Sequence, residues 1–255
     1  MSSLDQRAAP PRAADQSPSQ ARAVIRQAAD LPLNPVLASV KSCLLTLEDA
    51  PFDPIWFAQE RIAMPTSIAR SVPKRQAEFF FGRWAAREAL MQCGVTGFDV
   101  GIGASREPVW PPGVVGSLTH CHGYAAAAVA PARDLQSIGI DIEQVAHPQS
   151  LEALLAVALD ATEIERLGSS THGLSTAQLA TLAFSAKESF YKAAFPQVGR
   201  FFGFEAARVV EVRERPRVLR LELTESLAGE WRAGCAIDVS FQWLTNDVVF
   251  TCFCA

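Results

Sequence analysis

The chain has 255 residues, of which 49% are hydrophobic and 20% charged, and its formal net charge is −4. This length and composition suffice for one large domain or two small ones with a buried core. The lack of a basic excess argues against nucleic-acid binding, and the lack of an 18-residue apolar run argues against a membrane helix.

Six cysteines occur at irregular spacings, without a CxxC pair. This spacing argues against a zinc ribbon or a thioredoxin-like redox site, and it is typical of reduced thiols in a cytosolic protein. The first residues also lack the basic and apolar regions of a secretory signal. We therefore expect a cytoplasmic protein without stable membrane association.

Residues 1–30 are rich in Ala, Ser, Gln and Pro and contain no aromatic side chain. Such a segment buries little apolar surface, so we expect a disordered tail, with a frayed helix over residues 21–29 as the alternative. A polar break at residues 132–136 then divides the chain into an N-terminal half, 31–135, and a C-terminal half, 136–255.

Two long helices and seven short strands are predicted. The first helix runs from Pro73 to Gln92, because proline suits a first helical turn and Gly94 offers a stop. Residues 94–116 form a loop-rich region, and apolar periodicity predicts the second helix over 175–194. The predicted strands are 115–121, 124–130, 137–143, 207–212, 218–223, 236–243 and 248–254. Helices and antiparallel-type strands interleave, which predicts an α+β fold.

Two carboxylates lie on one face of the strand predicted at 137–143. Asp141 and Glu143 are two residues apart, so both point away from the side on which the isoleucines enter the core. Adjacent carboxylates repel unless a cation or a donor separates them. The pair is therefore either a solvated acidic face or part of a Mg²⁺ site, since Mg²⁺ takes one or two carboxylates with phosphate and water.

A second acidic position lies on the second long helix. Glu188 and Lys192 are neighbours at i and i+4, which by itself indicates an exposed ion pair. Phe184 and Tyr191, however, flank Glu188 on its own side of the helix. This apolar flank favours a cleft, in which Glu188 would complete a metal site and Lys192 would bind phosphate or move a proton.

Small and hydroxylated residues precede His120 in the segment Gly116-Ser117-Leu118-Thr119-His120. Such a segment favours a phosphate cradle, with a hydrogen-bonded structural histidine as the alternative. No acidic residue lies nearby in sequence and no G-x-S-x-G motif occurs, so a Ser–His–Asp hydrolase has little support.

Arginines cluster on the first helix. Arg75 and Arg83 are eight residues apart and share a face, and Lys74 and Arg87 also lie on or near this helix. Guanidinium forks suit phosphate oxygens, although an ordinary charged helix face has the same pattern. Arg106, in the loop region, has the same two interpretations.

These motifs occur together in one order, and in that order the chain resembles the surfactin-type 4′-phosphopantetheinyl transferases. The resemblance is closest to the branch that serves siderophore synthesis and polyketide or fatty-acid carriers in bacteria. It spans about residues 73–195, and its stretches are KRQAEF (74–79), GRWAAR (82–87), REPVWP (106–111), GSLTH (116–120), GIDIE (139–143) and FSAKESFYKA (184–193).

The resemblance implies two similar α/β halves with the active site between them. It further implies that Asp141, Glu143 and Glu188 hold Mg²⁺, with Mn²⁺ as the alternative, against the coenzyme A pyrophosphate. Glu188 would also be the base for the attacking serine, and Lys192 would assist at the phosphates. The remaining coenzyme A contacts that it implies are Arg75, Arg83, Arg106, Thr119, His120 and, as a helper, Lys187.

The activity implied by the resemblance is transfer of the phosphopantetheine arm of coenzyme A to a serine of an apo acyl, peptidyl or aryl carrier protein, with release of 3′,5′-ADP. A monomer is expected, because both halves of the site occur in one chain. Two alternatives stay open. One is a non-catalytic module that binds coenzyme A or carrier proteins, and the other is a metal-dependent phosphohydrolase that releases free phosphopantetheine.

Overall fold

The structure is a computed structural model that describes residues 20–33, 37–168 and 173–255. Two antiparallel sheets, each packed against one long helix, form the body of the molecule. This mixture of helices with antiparallel strands confirms the α+β class. Within the described residues, no helix is both long enough and apolar enough to cross a bilayer.

The N-terminal sheet has the strand order β1-β2-β6-β5 and lies against helix α4. The elements of this half are α1 (Gln20–Val24), β1 (Ile25–Ala29), β2 (Lys41–Leu47), α2 (Ile55–Gln59), α3 (Thr66–Ala69), α4 (Pro73–Gln92), β3 (Gly101–Ile102), β4 (Pro108–Val109), β5 (Val114–Cys121) and β6 (Tyr124–Pro131). Helix α4 has the predicted bounds, with Pro73 in its first turn.

Strand β6 is buried on both faces. Its alternate residues Ala125, Ala127 and Val129 contribute to the core under α4, whereas Ala126 and Ala128 contribute to a core shared with the C-terminal sheet. Small side chains at these positions allow a helix and a second sheet to approach one strand from opposite sides.

The C-terminal sheet has the order β7-β11-β10-β9-β8 and lies against helix α7. Its elements are β7 (Ile138–Gln144), α5 (Pro148–Ala158), α6 (Ala161–Gly168), α7 (Thr176–Val198), a 3-10 turn (Phe204–Ala206), β8 (Ala207–Glu214), β9 (Arg217–Leu223), β10 (Ala236–Thr245) and β11 (Val248–Cys254). Helices α5 and α6 were not expected from the sequence. Helix α7 begins at a capping box between Ser175 and Gln178 and continues past the predicted end at residue 194.

The expected tail needs correction over residues 20–29. Strand β1 pairs antiparallel with β2, and Ala21 and Val24 of α1 are buried. These contacts give the segment the apolar burial that its own composition does not suggest. The rest of the expected tail, residues 1–19, lies outside the described residues.

Side-chain hydroxyls join the two sheets at their facing edges. The hydroxyl of Ser117 on β5 accepts a hydrogen bond from the backbone N–H of Ile140 on β7 at 3.1 Å, and Thr119 Oγ1 accepts from Ile142 at 3.3 Å. Strand β7, which carries the acidic motif, is thus held between β11 and the edge of the other sheet.

Candidate active site

Helix α7 lies directly over strand β7, and Gly139 makes this approach possible. A Cβ atom at Gly139 would collide with the backbone carbonyl of Ser189 in the middle of α7. The missing side chain therefore brings Asp141 and Glu143 on the strand close to Glu188 and Lys192 on the helix. The sequence contains this glycine at the start of the GIDIE stretch, but only the packing of α7 on β7 explains why a glycine is needed there.

Asp141 is the centre of this cluster and is 3% exposed. Its Oδ1 accepts from Lys192 Nζ at 2.6 Å and from Thr119 Oγ1 at 3.0 Å. Its Oδ2 is buried and has no hydrogen-bond partner among the described residues. Lys192 also donates to the carbonyl of Ile140 at 3.1 Å, so its ammonium bridges helix and strand. A buried carboxylate oxygen without a partner is unfavourable and indicates a missing donor or cation.

The other two carboxylates are electrostatically linked to Asp141. Burial, followed by the negative charge of Asp141, raises the pKa of Glu143 to about 8. Burial also raises the pKa of Glu188, where the ammonium of Lys192 acts in the opposite direction and Asp141 adds to the rise. Among the described residues, no group of three or more His, Cys, Asp or Glu side chains is arranged so that it could hold a metal ion. The three carboxylates nevertheless share one partly buried region of negative potential.

His120 borders this region on the side of α4. Its Nε2 lies 3.2 Å from Arg75 Nη1 and 3.9 Å from a carboxylate oxygen of Glu78. Burial lowers the pKa of His120, the charge of Glu78 opposes this shift, and Arg75 and Lys192 add to it. Arg75 and His120 together offer N–H donors suited to an anion.

The other two arginines have different surroundings. Arg83 donates to the carbonyls of Val100 at 2.6 Å and Gly101 at 2.9 Å, and its guanidinium lies 4.3 Å from the ring centre of Phe79. Burial, with the nearby charge of Arg75, lowers the pKa of Arg83 to about 10. Arg83 therefore holds the start of β3 and also adds positive charge beside Arg75.

Arg106 lies in the tight turn between β3 and β4. Its φ of 71° is in the left-handed region, and its backbone N–H donates to the carbonyl of Gly103 at 3.1 Å. This conformation is uncommon for a residue with a Cβ atom.

Two residues that the resemblance implies as coenzyme A contacts have their polar atoms bound to other protein groups. Thr119 is 3% exposed, and its hydroxyl is engaged by Asp141 and by the backbone of Ile142. Lys187 is also 3% exposed and donates to Glu163 beneath α7. The polar atoms of both side chains already have buried protein partners, and their expected contact with coenzyme A phosphates stays a prediction.

An aromatic wall beside Glu188 was only partly visible in the sequence. The rings of Tyr191 and Phe202 are 4.8 Å apart, Tyr191 and Phe195 are 5.6 Å apart, and Phe195 contacts Phe201, which is 70% exposed. The flanking of Glu188 by aromatic residues was the one signal for this wall. Phe201 and Phe202 lie beyond the predicted helix and carried no signal.

A cavity of about 500 Å³ opens on the other side of His120. It lies between the start of α4, the end of β2 and the turn from β5 to β6, with Lys74, Glu78, Trp56 and Tyr124 in its walls. Its size is within the range of small-molecule sites.

Two family models match the chain. The 4′-phosphopantetheinyl transferase N-terminal domain matches residues 63–130, and the 4′-phosphopantetheinyl transferase superfamily matches residues 137–249. The first match contains α4 and His120, and the second contains the carboxylate cluster.

Two similar proteins carry the same description. The chain is 44% identical over 142 residues to 4′-phosphopantetheinyl transferase Npt of Nocardia iowensis, which covers 56% of this chain and 62% of that protein. It is 41% identical over 144 residues to 4′-phosphopantetheinyl transferase PptT of Mycobacterium tuberculosis, which covers 56% of this chain and 61% of that protein. The match thus spans less than two thirds of the length of these relatives.

A longer match occurs with enterobactin synthase component D of Escherichia coli K12, which is 35% identical over 190 residues. This match covers 73% of the chain and 87% of the relative. Because the two family models match consecutive parts of the chain, and because Npt and PptT carry the same description, the chain belongs to the 4′-phosphopantetheinyl transferase superfamily.

Proposed function

We propose that the protein transfers the 4′-phosphopantetheine arm of coenzyme A to a serine of an apo carrier protein and releases 3′,5′-ADP. The single observation that carries the proposal is the cluster of Asp141, Glu143, Glu188 and Lys192, in which one buried carboxylate oxygen lacks a partner. Within the superfamily we assign the chain to the surfactin type and its siderophore branch. The similarity to enterobactin synthase component D supports this assignment.

The carboxylate cluster fits a divalent cation. Mg²⁺ and Mn²⁺ prefer oxygen ligands, and Asp141, Glu143 and Glu188 would supply them. The unpartnered Oδ2 of Asp141 and the raised pKa values of Glu143 and Glu188 are the features that such a cation would relieve. When bound, the cation would supply charge stabilisation at the oxygens of the coenzyme A pyrophosphate.

Glu188 is the proposed base. A serine hydroxyl is a weak nucleophile at neutral pH and needs a positioned group to take its proton. The half-buried carboxylate of Glu188 lies beside Asp141 and Lys192 and is the group proposed to take that proton. The serine oxygen forms a bond to the β-phosphorus, the bond from that phosphorus to the bridging oxygen breaks, and the serine proton passes to Glu188, directly or through water.

The leaving group is held by cationic and N–H donors in this proposal. Lys192, which is 26% exposed, can contact a pyrophosphate oxygen while it keeps Asp141 in place. Arg75 and His120 bind the 3′-phosphate end, with Arg83 adding positive charge beside Arg75 and Arg106 as a further proposed contact. Thr119 orients Asp141.

The aromatic wall of Tyr191, Phe195, Phe201 and Phe202 suits the pantetheine arm, which is largely aliphatic and lies next to the attacked phosphorus. The arm would pass along this wall toward Glu188. A carrier protein must approach the same side, since its serine has to reach the base.

Several broader features belong to this proposal. The two sheets, each with its own long helix, are proposed to be similar halves of a monomer, divided between residues 31–135 and 136–255. Acyl, peptidyl and aryl carrier proteins are the proposed partners, in siderophore, nonribosomal-peptide, polyketide or fatty-acid synthesis, and the cytoplasm is the proposed location.

Intact-protein mass spectrometry tests the reaction. An apo carrier protein is incubated with this protein, coenzyme A and Mg²⁺, with EDTA as the control. We expect a gain of one phosphopantetheine arm that EDTA abolishes. Coenzyme A binding without any gain across peptidyl, aryl and acyl carriers would favour the binding module, and free phosphopantetheine formed without a carrier would favour the phosphohydrolase.

A further inference from the structure

Lys187 and Glu163 form an ion pair that the proposed reaction does not use. Lys187 Nζ lies 2.7 Å from Glu163 Oε1, and both side chains are 3% exposed. The same ammonium donates to the carbonyl of Ala158, at the end of α5, at 2.7 Å. Burial lowers the pKa of Lys187, and Glu163 opposes that shift. Each charge therefore depends on the other for its stability in the interior.

Glu163 ties this pair to two further elements. Its Oε1 also accepts from the backbone N–H of Val209 on β8 at 2.6 Å, and its Oε2 accepts from the backbone N–H of Asp160 at 2.7 Å. Asp160 in turn caps α6 by accepting from the backbone of Glu163 at 2.8 Å. The Glu163 carboxylate thus links α6, α7 and β8, and the Lys187 ammonium adds the end of α5 to the same network.

The ammonium of this pair comes from the residue next to Glu188. Lys187 and Glu188 are consecutive on α7, so the direction of Lys187 toward α6 fixes the rotation of the helix at Glu188. On the other side of the helix, Lys192 is held by Asp141 and the backbone of Ile140. The helix is therefore held by the buried Lys187 on one side of Glu188 and by the partly buried Lys192 on the other.

We propose that Lys187 and Glu163 are a positioning pair, which sets the rotation of α7 so that Glu188 faces Asp141 and Glu143. The inference rests on the proposed function, in which Glu188 is the base. It assigns to Lys187 a role that requires no contact with coenzyme A. A buried pair of this kind acts as a unit, so removal of one charge leaves the other unpaired, whereas removal of both leaves a neutral contact.

The test uses Lys187→Met, Glu163→Gln and the double variant in the full chain. For each single variant we expect kcat for carrier modification to fall by more than about 10-fold, since small displacements of a catalytic group reduce rate strongly. The Kd for coenzyme A, measured by calorimetry without Mg²⁺, should stay within about 2-fold of wild type. The double variant should recover most of the lost kcat. Arg220→Met, which breaks the exposed pair with Asp238, is the matched control and should leave kcat unchanged.

Three results would overturn the proposal. A rise in Kd with unchanged kcat would make Lys187 a coenzyme A ligand. A lower melting temperature with unchanged kcat per folded molecule would make the pair only structural. A double variant no more active than the singles would show that the two charges do not act as a unit.

Hydrogen exchange separates this inference from the proposed function, because it needs no activity. Amides of α7 around Glu188 should exchange faster in Lys187→Met and return toward wild-type protection in the double variant. Unchanged exchange would contradict the positioning role even if the wild-type protein transfers the arm. An inactive wild type, by contrast, would count against the proposed function alone. If Lys187→Met does not fold, Glu163→Gln is compared with wild type in the same two measurements, kcat and hydrogen exchange.

Discussion

Lys192 Nζ lies 2.6 Å from Oδ1 of Asp141, while Oδ2 of the same carboxylate is buried and has no partner among the described residues. One oxygen of the carboxylate is thus neutralised by helix α7, whereas the other lacks a donor or a cation among the described residues. This asymmetry makes Asp141 both a structural link between β7 and α7 and a ready ligand.

Replacement of Glu188 by Gln removes the proposed base while it keeps the size of the side chain. We expect kcat to fall by about 10²–10⁴-fold, the usual contribution of a general base. Far-UV circular dichroism and calorimetric coenzyme A binding should stay close to wild type. Glu222→Gln, on the exposed face of β9, is the control and should keep full activity. A Glu188→Gln variant with near-normal turnover would rule out the assignment of the base.

Replacement of Asp141 by Asn removes the charge that holds Lys192 and the carboxylate proposed to bind the cation. The apparent affinity for Mg²⁺ should weaken by at least about 10-fold, since loss of even an outer partner has effects of that size. Activity titrated against Mg²⁺ measures this change. If the variant needs no more Mg²⁺ than wild type does, Asp141 is not a ligand.

Arg75 is predicted to recognise the 3′-phosphate of coenzyme A. Arg75→Met should raise the KM for coenzyme A by about 10-fold or more, the loss of a charge-assisted hydrogen bond. Dephospho-coenzyme A lacks that phosphate, so its KM should change little. Arg70→Met, at the exposed end of α3, is the control. Equal effects on both substrates would place Arg75 elsewhere along the ligand.

The stability of the metal-free protein should depend on pH through Glu143. Its pKa is about 8 in the folded state and near its ordinary value of 4.5 in the unfolded chain. The folded protein therefore binds more protons between these values, and this group's contribution to stability is lost as pH rises from about 4.5 to about 8. Thermal unfolding in EDTA should show this decline, and Glu143→Gln should reduce it. An equal decline in the variant would assign the effect to other groups.

Mg²⁺ should raise the melting temperature more at pH 8 than at pH 6. At the higher pH more of the Glu143 side chain is ionised and can act as a ligand, whereas at lower pH the cation must displace a proton. Differential scanning calorimetry with and without Mg²⁺ measures the difference. A stabilisation that does not grow with pH would argue against Glu143 as a ligand.

The contact between β7 and α7 should be intolerant of a single added methyl group. Gly139→Ala should lower the free energy of unfolding by about 1–3 kcal/mol or more, because the backbone at Ser189 has to move. Gly82→Ala on α4, where an added Cβ comes no closer than 3.8 Å to Leu118, should be neutral or stabilising by up to about 1 kcal/mol. Urea unfolding compares the two. Similar values for both variants would show that the glycine is not required by packing.

Much of the secondary structure followed from local patterns. Helix α4 and strand β11 have the predicted bounds, because a first-turn proline and a continuous apolar strand are strong local signals. Helices α5 and α6, and the strand formed by residues 25–29, were missed. Strand β1 owes its existence to pairing with β2, a contact from outside the segment.

By itself the sequence determined the α+β class, the order of the motifs and the pairing of Asp141 with Glu143, because alternation and helical periodicity are local properties. The residues of those motifs also indicated the family. Only the tertiary structure decided which polar side chains are bound to other protein groups and which keep polar atoms free for a ligand. Thr119 and Lys187 look like ligands in the sequence, yet folding buries them against Asp141 and Glu163. The reason is that a polar side chain binds whichever partner the packing brings within reach, and the partners of these two residues are more than 20 positions away along the chain.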